Sequence, residues 1–342
     1  MTEYKLVAVD TSKAVFTLHC IPEADGPVLR LNLRRAQLIP FFKKLTATEI
    51  VMEACAGSFH WARTLEPLGH RLRLIPPQYV KPFVKRGKND RNDAEAISEA
   101  AGRKGVHPVA VKSAGQQAQL MVLKVRNTFV EQRTRLVNTL RGHAAEFGVI
   151  AAKGLNAVGG LLMAIERETS VPPAAQAMMT LLGEEIGHLD IRLKELDVRL
   201  LAAHRANPLS LLLATIPGIG PITALTFALE IDAVAFASGR HLASWLGLTP
   251  KENSTGGKQR LGGISRAGNE RLRRLLVLGA TAVIRVATRP DNKNATAWLL
   301  GLLARKPRKL AAVALANKMA RIVWAMMTTG ETYRRGPAVA AA

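Results

Sequence analysis

Cysteine is nearly absent: Cys20 and Cys55 are the only two in 342 residues. So few exclude a disulfide framework, and no Cys-x-x-Cys spacing offers thiolates to zinc, so both read as small core residues in a reducing cytoplasm. Aromatic residues make up only 5% of the chain, and acidic residues are short as well, with 26 Asp and Glu against 48 Lys and Arg, for a net charge of +22. Mutually repelling charges do not stabilise a compact fold, so the surplus reads as the complement of a polyanion, nucleic acid first. The opening MTEYKLVAVDTSK lacks the basic stretch that precedes the apolar core of a signal peptide. One uncharged run, Leu211 to Leu229, has nearly the length of a membrane span. Its centre reads PGIGP, and Pro217, Pro221 and the glycines between them would break a lipid-exposed helix. No membrane partner is expected.

The chain is 48% hydrophobic with mean hydropathy +0.08, a composition that folds. Its length suits two or three domains. In the first hundred residues, strand-like runs at Tyr4 to Val9, Ala14 to Cys20, Val28 to Leu33, Glu49 to Ala54 and His70 to Ile75 alternate with helical spacing over Gln37 to Leu45 and Phe59 to Leu68. A hairpin followed by βαβ order predicts an α/β domain with a mixed sheet over residues 1–110. Residues 111–206 change character. Gly115 to Phe147 and Ala174 to Ala206 each read as one long helix, and Leu189, Leu193, Leu196 and Leu200 step by four, three and four, which is coiled-coil spacing. An antiparallel helical hairpin able to dimerise and the core of an ordinary bundle both fit. Residues 207–342 read as an all-α domain, with helices over 269–288, 294–304 and 309–328. Here 18 Lys and Arg face four acidic residues from position 251 onward, so more than half of the surplus charge lies at this end.

Carboxylates mark the first domain. Asp10 ends the apolar run LVAVD and Glu53 sits inside IVMEAC, and an acid on a buried strand is costly unless a cation offsets its desolvation. In KNDRNDAEAI, Asp90 and Asp93 are three residues apart at an expected helix start, so both project from one face. Singly, Asp10 could be a turn residue and Asp90 a helix cap. Jointly, four carboxylates from two strands and one helix suit two hard cations with oxygen ligands, magnesium above all. Two such ions about 4 Å apart serve in-line phosphoryl transfer.

The last third carries two further motifs. TIPGIGPITA reads as a helix-hairpin-helix turn in which Gly218 and Gly220 let backbone amides approach a DNA phosphate, or else as a tight turn between buried helices. In KENSTGGKQRLGGISRAGNERLRRLL, Ser254 precedes a Gly-rich loop flanked by Lys251, Lys258 and Arg260, and Arg266, Arg271, Arg273 and Arg274 follow. Residue types alone fit a phosphate-gripping loop better than a nucleophile, because a serine hydroxyl needs a proton acceptor before it attacks. The tryptophans Trp245, Trp298 and Trp324 sit in apolar helical contexts and read as core.

DTSK after the first strand, the EAC of the later strand and KNDRNDAEAI resemble the RuvC-like, RNase H-fold DEDD domain of bacterial insertion-sequence transposases of the IS-one-ten family, the bridge-RNA-guided recombinases. The likeness extends over nearly the whole chain. It implies that Asp10, Glu53, Asp90 and Asp93 bind the Mg2+ ions. It also implies that a serine of the Gly-rich loop attacks DNA and becomes covalently linked to it, Ser254 being the best match and Ser265, in GGISRAGN, the alternative. By the same resemblance, the active site is shared between protomers of a dimer or tetramer. A structured noncoding RNA selects donor and target DNA, and the setting is the bacterial cytoplasm, at the nucleoid when acting. A junction-resolving endonuclease using the four carboxylates and water is the enzymatic alternative. A purely architectural DNA-binding protein is another, and it leaves the carboxylates unexplained.

Overall fold

A computed structural model of the chain describes residues 3–85, 89–152, 154–289 and 295–334. They fall into two compact units, Met1–Gln117 and Ala118–Ala342. The first runs β1 (Tyr4–Asp10), β2 (Val15–Pro22), β3 (Leu29–Arg34), α1 (Arg35–Phe42), β4 (Glu49–Glu53), α2 (Ser58–Leu65), β5 (Arg71–Ile75), α3 (Pro77–Val80) and α4 (Asp90–Ala101). These form a five-stranded sheet in the order β3-β2-β1-β4-β5. The β1–β2 and β2–β3 pairs are antiparallel, whereas β1–β4 and β4–β5 are parallel. The mixed sheet expected from the sequence is therefore present.

Strand alternation sorts the side chains onto two faces. Val7 and Val9 of β1 and Ile50 and Met52 of β4 join Phe16, Leu38, Phe42, Trp61 and Leu65 in a core beneath α1 and α2. Leu6, Ala8 and Val51 point the other way and meet Ala96, Ile97 and Ala100 of α4. Small residues on α4 let its backbone come close to the sheet. Cys20 lies in the first of these cores, and burial pushes its thiol up to about 12. Cys55 differs from the core residue expected: it is half-buried just beyond β4, with Sγ 2.9 Å from Thr11 Oγ1 just beyond β1.

The second unit is mostly helical: α5 (Ala114–Glu146, beginning at the end of the first unit), α6 (Val158–Arg167), α7 (Pro173–Arg205), α8 (Pro208–Leu213), α9 (Pro221–Glu230), α10 (Gly239–Trp245), strands β6 (Pro250–Glu252) and β7 (Leu261–Ile264), α11 (Glu270–Ala287), α12 (Ala297–Arg305) and α13 (Arg308–Thr329). Ser113 and Gln116 start α5 with a reciprocal pair of hydrogen bonds, the Gln116 amide to Ser113 Oγ at 3.1 Å and the Ser113 amide to Gln116 Oε1 at 3.0 Å. Arg126 pairs with Asp197, and Arg133 with Asp190. Seven residues forward on α5 match seven residues back on α7, so the two helices run antiparallel. Both arrangements expected from the sequence contribute. The hairpin's ends are built into small bundles, α6 packing with Val137 and Leu140 at one end and α9 with Leu120 and Leu123 at the other.

The expectation of an all-α final domain is corrected by the antiparallel hairpin of β6 and β7. Gly256, Gly257, Gly262 and Gly263 lie in or beside it, and each would cost a helix about 1 kcal/mol. The helix expected over 294–304 begins at Ala297; Asn294 lies outside the described residues. Trp298 is 41% exposed, with Lys318 Nζ 4.2 Å from its ring centroid, so it is not the core residue expected. Among the described residues, one helix, α13, is long and apolar enough to cross a membrane, and it buries Ala312, Ala316, Met319 and Val323 in the unit's own core. The Leu211 to Leu229 run is split between α8 and α9.

The turn between α8 and α9 abuts α11 with no side chain between. A Cβ on Gly279 would fall 1.9 Å from the Gly218 carbonyl oxygen, and one on Gly218 2.8 Å from that of Gly279. Both obstacles are backbone, so neither can rotate away. Gly279→Ala is expected to lower stability by about 1–3 kcal/mol, read as a fall in Tm. An equal substitution at Gly301, where a Cβ meets nothing within 4 Å, is the control and should not destabilise.

Candidate active site

Register and alternation build the acidic site. Val9 lies opposite Met52 across the parallel β1–β4 pair, so Asp10 and Glu53, the next residue on each strand, stand side by side at the strand ends. Asp10 continues the Leu6 and Ala8 face, and Glu53 the Val51 face, which is the face that α4 covers. The Asn89 side chain caps α4 by accepting from the Asn92 amide at 2.8 Å, which sets Asp90 and Asp93 in the first turn. Carboxylate oxygens of Asp10, Asp90 and Asp93 then lie within 4.8 Å of one another. Glu53 raises the charge density further.

These charges repel. Burial, reinforced by Asp93, Asp90 and Glu53, pushes the Asp10 carboxyl up to about 6 against one lowering hydrogen bond from the Thr11 amide. Burial and Asp93 raise Glu53 as well. Among the described residues, no lysine or arginine forms an ion pair with any of the four. Crowded oxygen ligands, with Asp10, Glu53 and Asp93 half-buried and Asp90 exposed, and no ion pair among the described residues, fit a divalent cation, which would remove the repulsion. The Thr11–Cys55 contact ties together the two strand ends that carry Asp10 and Glu53.

Ser254 belongs to the other unit, in the exposed turn between β6 and β7. Its Oγ donates to Glu252 Oε1 at 2.9 Å and accepts from the Arg260 amide at 3.1 Å. Lys251, Lys258 and Arg260 are exposed on the same hairpin. Ser265 is placed differently. Its amide donates to Thr249 O at 2.8 Å, and its Oγ accepts from the Ala267 amide at 3.4 Å within a turn where Arg266 takes φ 57°. Gly268, at φ 64°, closes this turn so tightly that a Cβ would sit 1.8 Å from Trp245 O. Glu252 was not singled out in the sequence; its signal was the i, i+2 spacing to Ser254, which puts both on one side of an extended segment.

The arginines that follow are engaged internally. Arg271 pairs with Glu230, whose other oxygen accepts from the Asn269 side chain at 2.6 Å. Arg273 donates to the Leu246 and Ala267 carbonyls at 3.0 and 2.6 Å, and Arg274 to Asn127 Oδ1 at 3.0 Å. To grip a phosphate, each would have to leave or share these partners. Gly218 faces Gly279, whereas Gly220 is exposed at the start of α9.

A carboxylate cluster on an α/β sheet, joined in one chain to a basic helical unit, defines a class of protein that acts on nucleic acid. Comparison with known proteins makes the class specific. Residues 7–148 match the DEDD transposase family of IS110 type, and residues 210–295 match the family described as Transposase IS116/IS110/IS902. The y4pF/y4sB protein of Sinorhizobium fredii is 48% identical over 96% of this chain and 85% of its own length. The transposase for insertion sequence element IS1111A of Coxiella burnetii is 38% identical, covering 98% of this chain and 93% of its own. That of IS1328 from Yersinia enterocolitica is 36% identical over 98% of this chain and all of its own. The chain belongs to the IS110 family of insertion-sequence transposases, proteins that act on DNA.

Proposed function

We propose that this transposase cuts and rejoins DNA through a covalent link to Ser254, assisted by Mg2+ held at Asp10, Glu53, Asp90 and Asp93, in a fold of the RNase H, RuvC-like kind. The observation that carries the proposal is the convergence of Asp10, Asp90 and Asp93 oxygens within 4.8 Å, with no ion pair to any of the three among the described residues. The sheet order, with two antiparallel and two parallel pairings, supports the fold assignment. Bound there, divalent cations would stabilise charge on the attacking and leaving oxygens of a phosphodiester.

The protein's own groups divide the rest of the work. The Asp10 and Glu53 strand ends and the first turn of α4 fix the ligand oxygens on rigid elements. The β6–β7 hairpin presents the Ser254 hydroxyl to solvent, where a DNA backbone can reach it. Lys251, Lys258 and Arg260 attract that backbone, each phosphate contact lowering log affinity by about 0.9 per decade of salt. Arg266, Arg271, Arg273 and Arg274 add positive charge beside the hairpin, and Gly220 leaves the α9 amides open to a phosphate. A structured bridge RNA chooses the donor and target sequences, and two or four copies of the chain assemble on them. The net charge of +22 supports binding to more than one nucleic-acid strand.

The test is to incubate the protein with labelled DNA carrying the element's ends, Mg2+ and the element's noncoding RNA, then to denature and digest. A DNA-linked peptide containing residues 251–260, formed only with Mg2+ and RNA, is the expected result. Cleavage with no adduct at any time would overturn the serine step, and adduct formation without RNA would overturn the guidance.

A further inference from the structure

We propose that Glu252 is the general base that takes the proton from Ser254, a step that rests on the serine reading above. A serine hydroxyl has one proton to give and two lone pairs. The Arg260 amide donates to one lone pair at 3.1 Å, and the proton is directed at Glu252 Oε1 at 2.9 Å. That leaves one lone pair free, on an exposed oxygen, which is the arrangement an in-line attack needs. The bond between Ser254 and the Arg260 amide spans the hairpin turn, so the backbone itself fixes Oγ relative to the carboxylate.

The surroundings favour this assignment. Glu252 is the only acidic residue between Pro250 and Asn269, a stretch that holds Lys251, Lys258, Arg260 and Arg266. A lone carboxylate in a segment otherwise built to attract phosphate works against binding and needs another use. Among the described residues no ion pair engages Glu252. Its backbone is held opposite Leu261 across the β6–β7 pair, so its position does not depend on a flexible loop tip.

The step balances. As the Oγ–P bond forms, the Ser254 proton passes to Glu252 and the P–O bond to one sugar oxygen breaks, that oxygen taking a proton from solvent. On rejoining, an incoming sugar hydroxyl attacks the phosphoserine and loses its proton to solvent. The Ser254 oxygen departs and recovers the proton from Glu252. The carboxylate ends as it began, ready for a second exchange.

The experiment measures the rate of adduct formation on cognate DNA with Mg2+ and RNA for wild type, Glu252→Gln and Ser254→Ala. Glu252→Gln keeps the size and a hydrogen-bonding oxygen beside Ser254. It is expected to slow adduct formation about a hundredfold or more at pH 7.5, while DNA affinity holds or tightens because a negative charge is gone. Its rate should climb roughly tenfold per pH unit from 7.5 to 9.5, as hydroxide replaces the missing base, while the wild-type rate changes less than about threefold. A merely structural Glu252 would lower the rate without changing its pH dependence, and that result would overturn the proposal. So would a Glu252→Gln rate within about threefold of wild type. An adduct formed by Ser254→Ala at the wild-type rate would instead remove the serine reading itself, whatever Glu252 does.

Discussion

Ser254→Ala is expected to abolish the covalent DNA adduct, lowering its rate by about a thousandfold or more, because on the proposed mechanism the substitution deletes the attacking atom. DNA binding should stay within about twofold of wild type, since the cations of the hairpin remain. The fold should be unaffected as well: Ser254 is exposed, and exposed substitutions of this kind change stability by no more than about 0.5 kcal/mol. Ser265→Ala is the informative partner. Its hydroxyl accepts from the Ala267 amide inside a tight turn and forms no hydrogen bond with a carboxylate among the described residues, so this variant should form the adduct at close to the wild-type rate. Loss of the adduct in Ser265→Ala together with its retention in Ser254→Ala would reassign the nucleophile to Ser265.

Asp10→Asn should cost at least about a thousandfold in strand cleavage, and at neutral pH it should also make the metal-free protein more stable. The stability change follows from the sign of the Asp10 shift. Its carboxyl titrates at about 6 in the fold, above its value of 3.8 when unperturbed, because it is half-buried among like charges. The folded state therefore holds this proton more tightly than the unfolded chain does, and stability falls as pH rises through the interval between those values. Above it, the ionised carboxylate opposes folding, and asparagine removes the opposition. Below about pH 4 the two proteins should converge in Tm. Mg2+ should reverse the order. In the wild type, ions at a hundred times their Kd add about 2.7 kcal/mol, and the rise in Tm should weaken as pH falls toward 6 and protons compete for Asp10. Asp10→Asn should show little or none of it. An equal Mg2+-induced rise in both proteins would place the metal elsewhere.

Stability given up in the free protein and recovered on binding metal is expected where a site, not a core, dictates the residues. The apolar core of the first unit follows its sequence pattern. Phe16, Phe42, Ile50 and Met52 are fully buried where their spacing puts them.

Much of this architecture was legible in the sequence because its signals are periodic. Alternation over Tyr4 to Val9 and Glu49 to Ala54 gave the strands, and heptad spacing over Leu189 to Leu200 gave the long helix. The acids stood out because they interrupt apolar strands or crowd a helix start. The hairpin of β6 and β7 was hidden: three- and four-residue strands are too short to show a period, and glycines there signalled only a loop.

Residue type and spacing by themselves gave the five strands of the first unit, the long helices and the concentration of positive charge after position 251, and pointed to four candidate metal ligands. Tertiary structure alone decided that Asp10, Asp90 and Asp93 share one small volume, since residues eighty positions apart meet only through sheet register and the docking of α4. It decided that Gly218 serves close packing against Gly279, because an obstructed Cβ is a property of the neighbour and not of the glycine. It also separated two serines of similar local sequence, directing the proton of Ser254 at a carboxylate and using the hydroxyl of Ser265 to hold a turn.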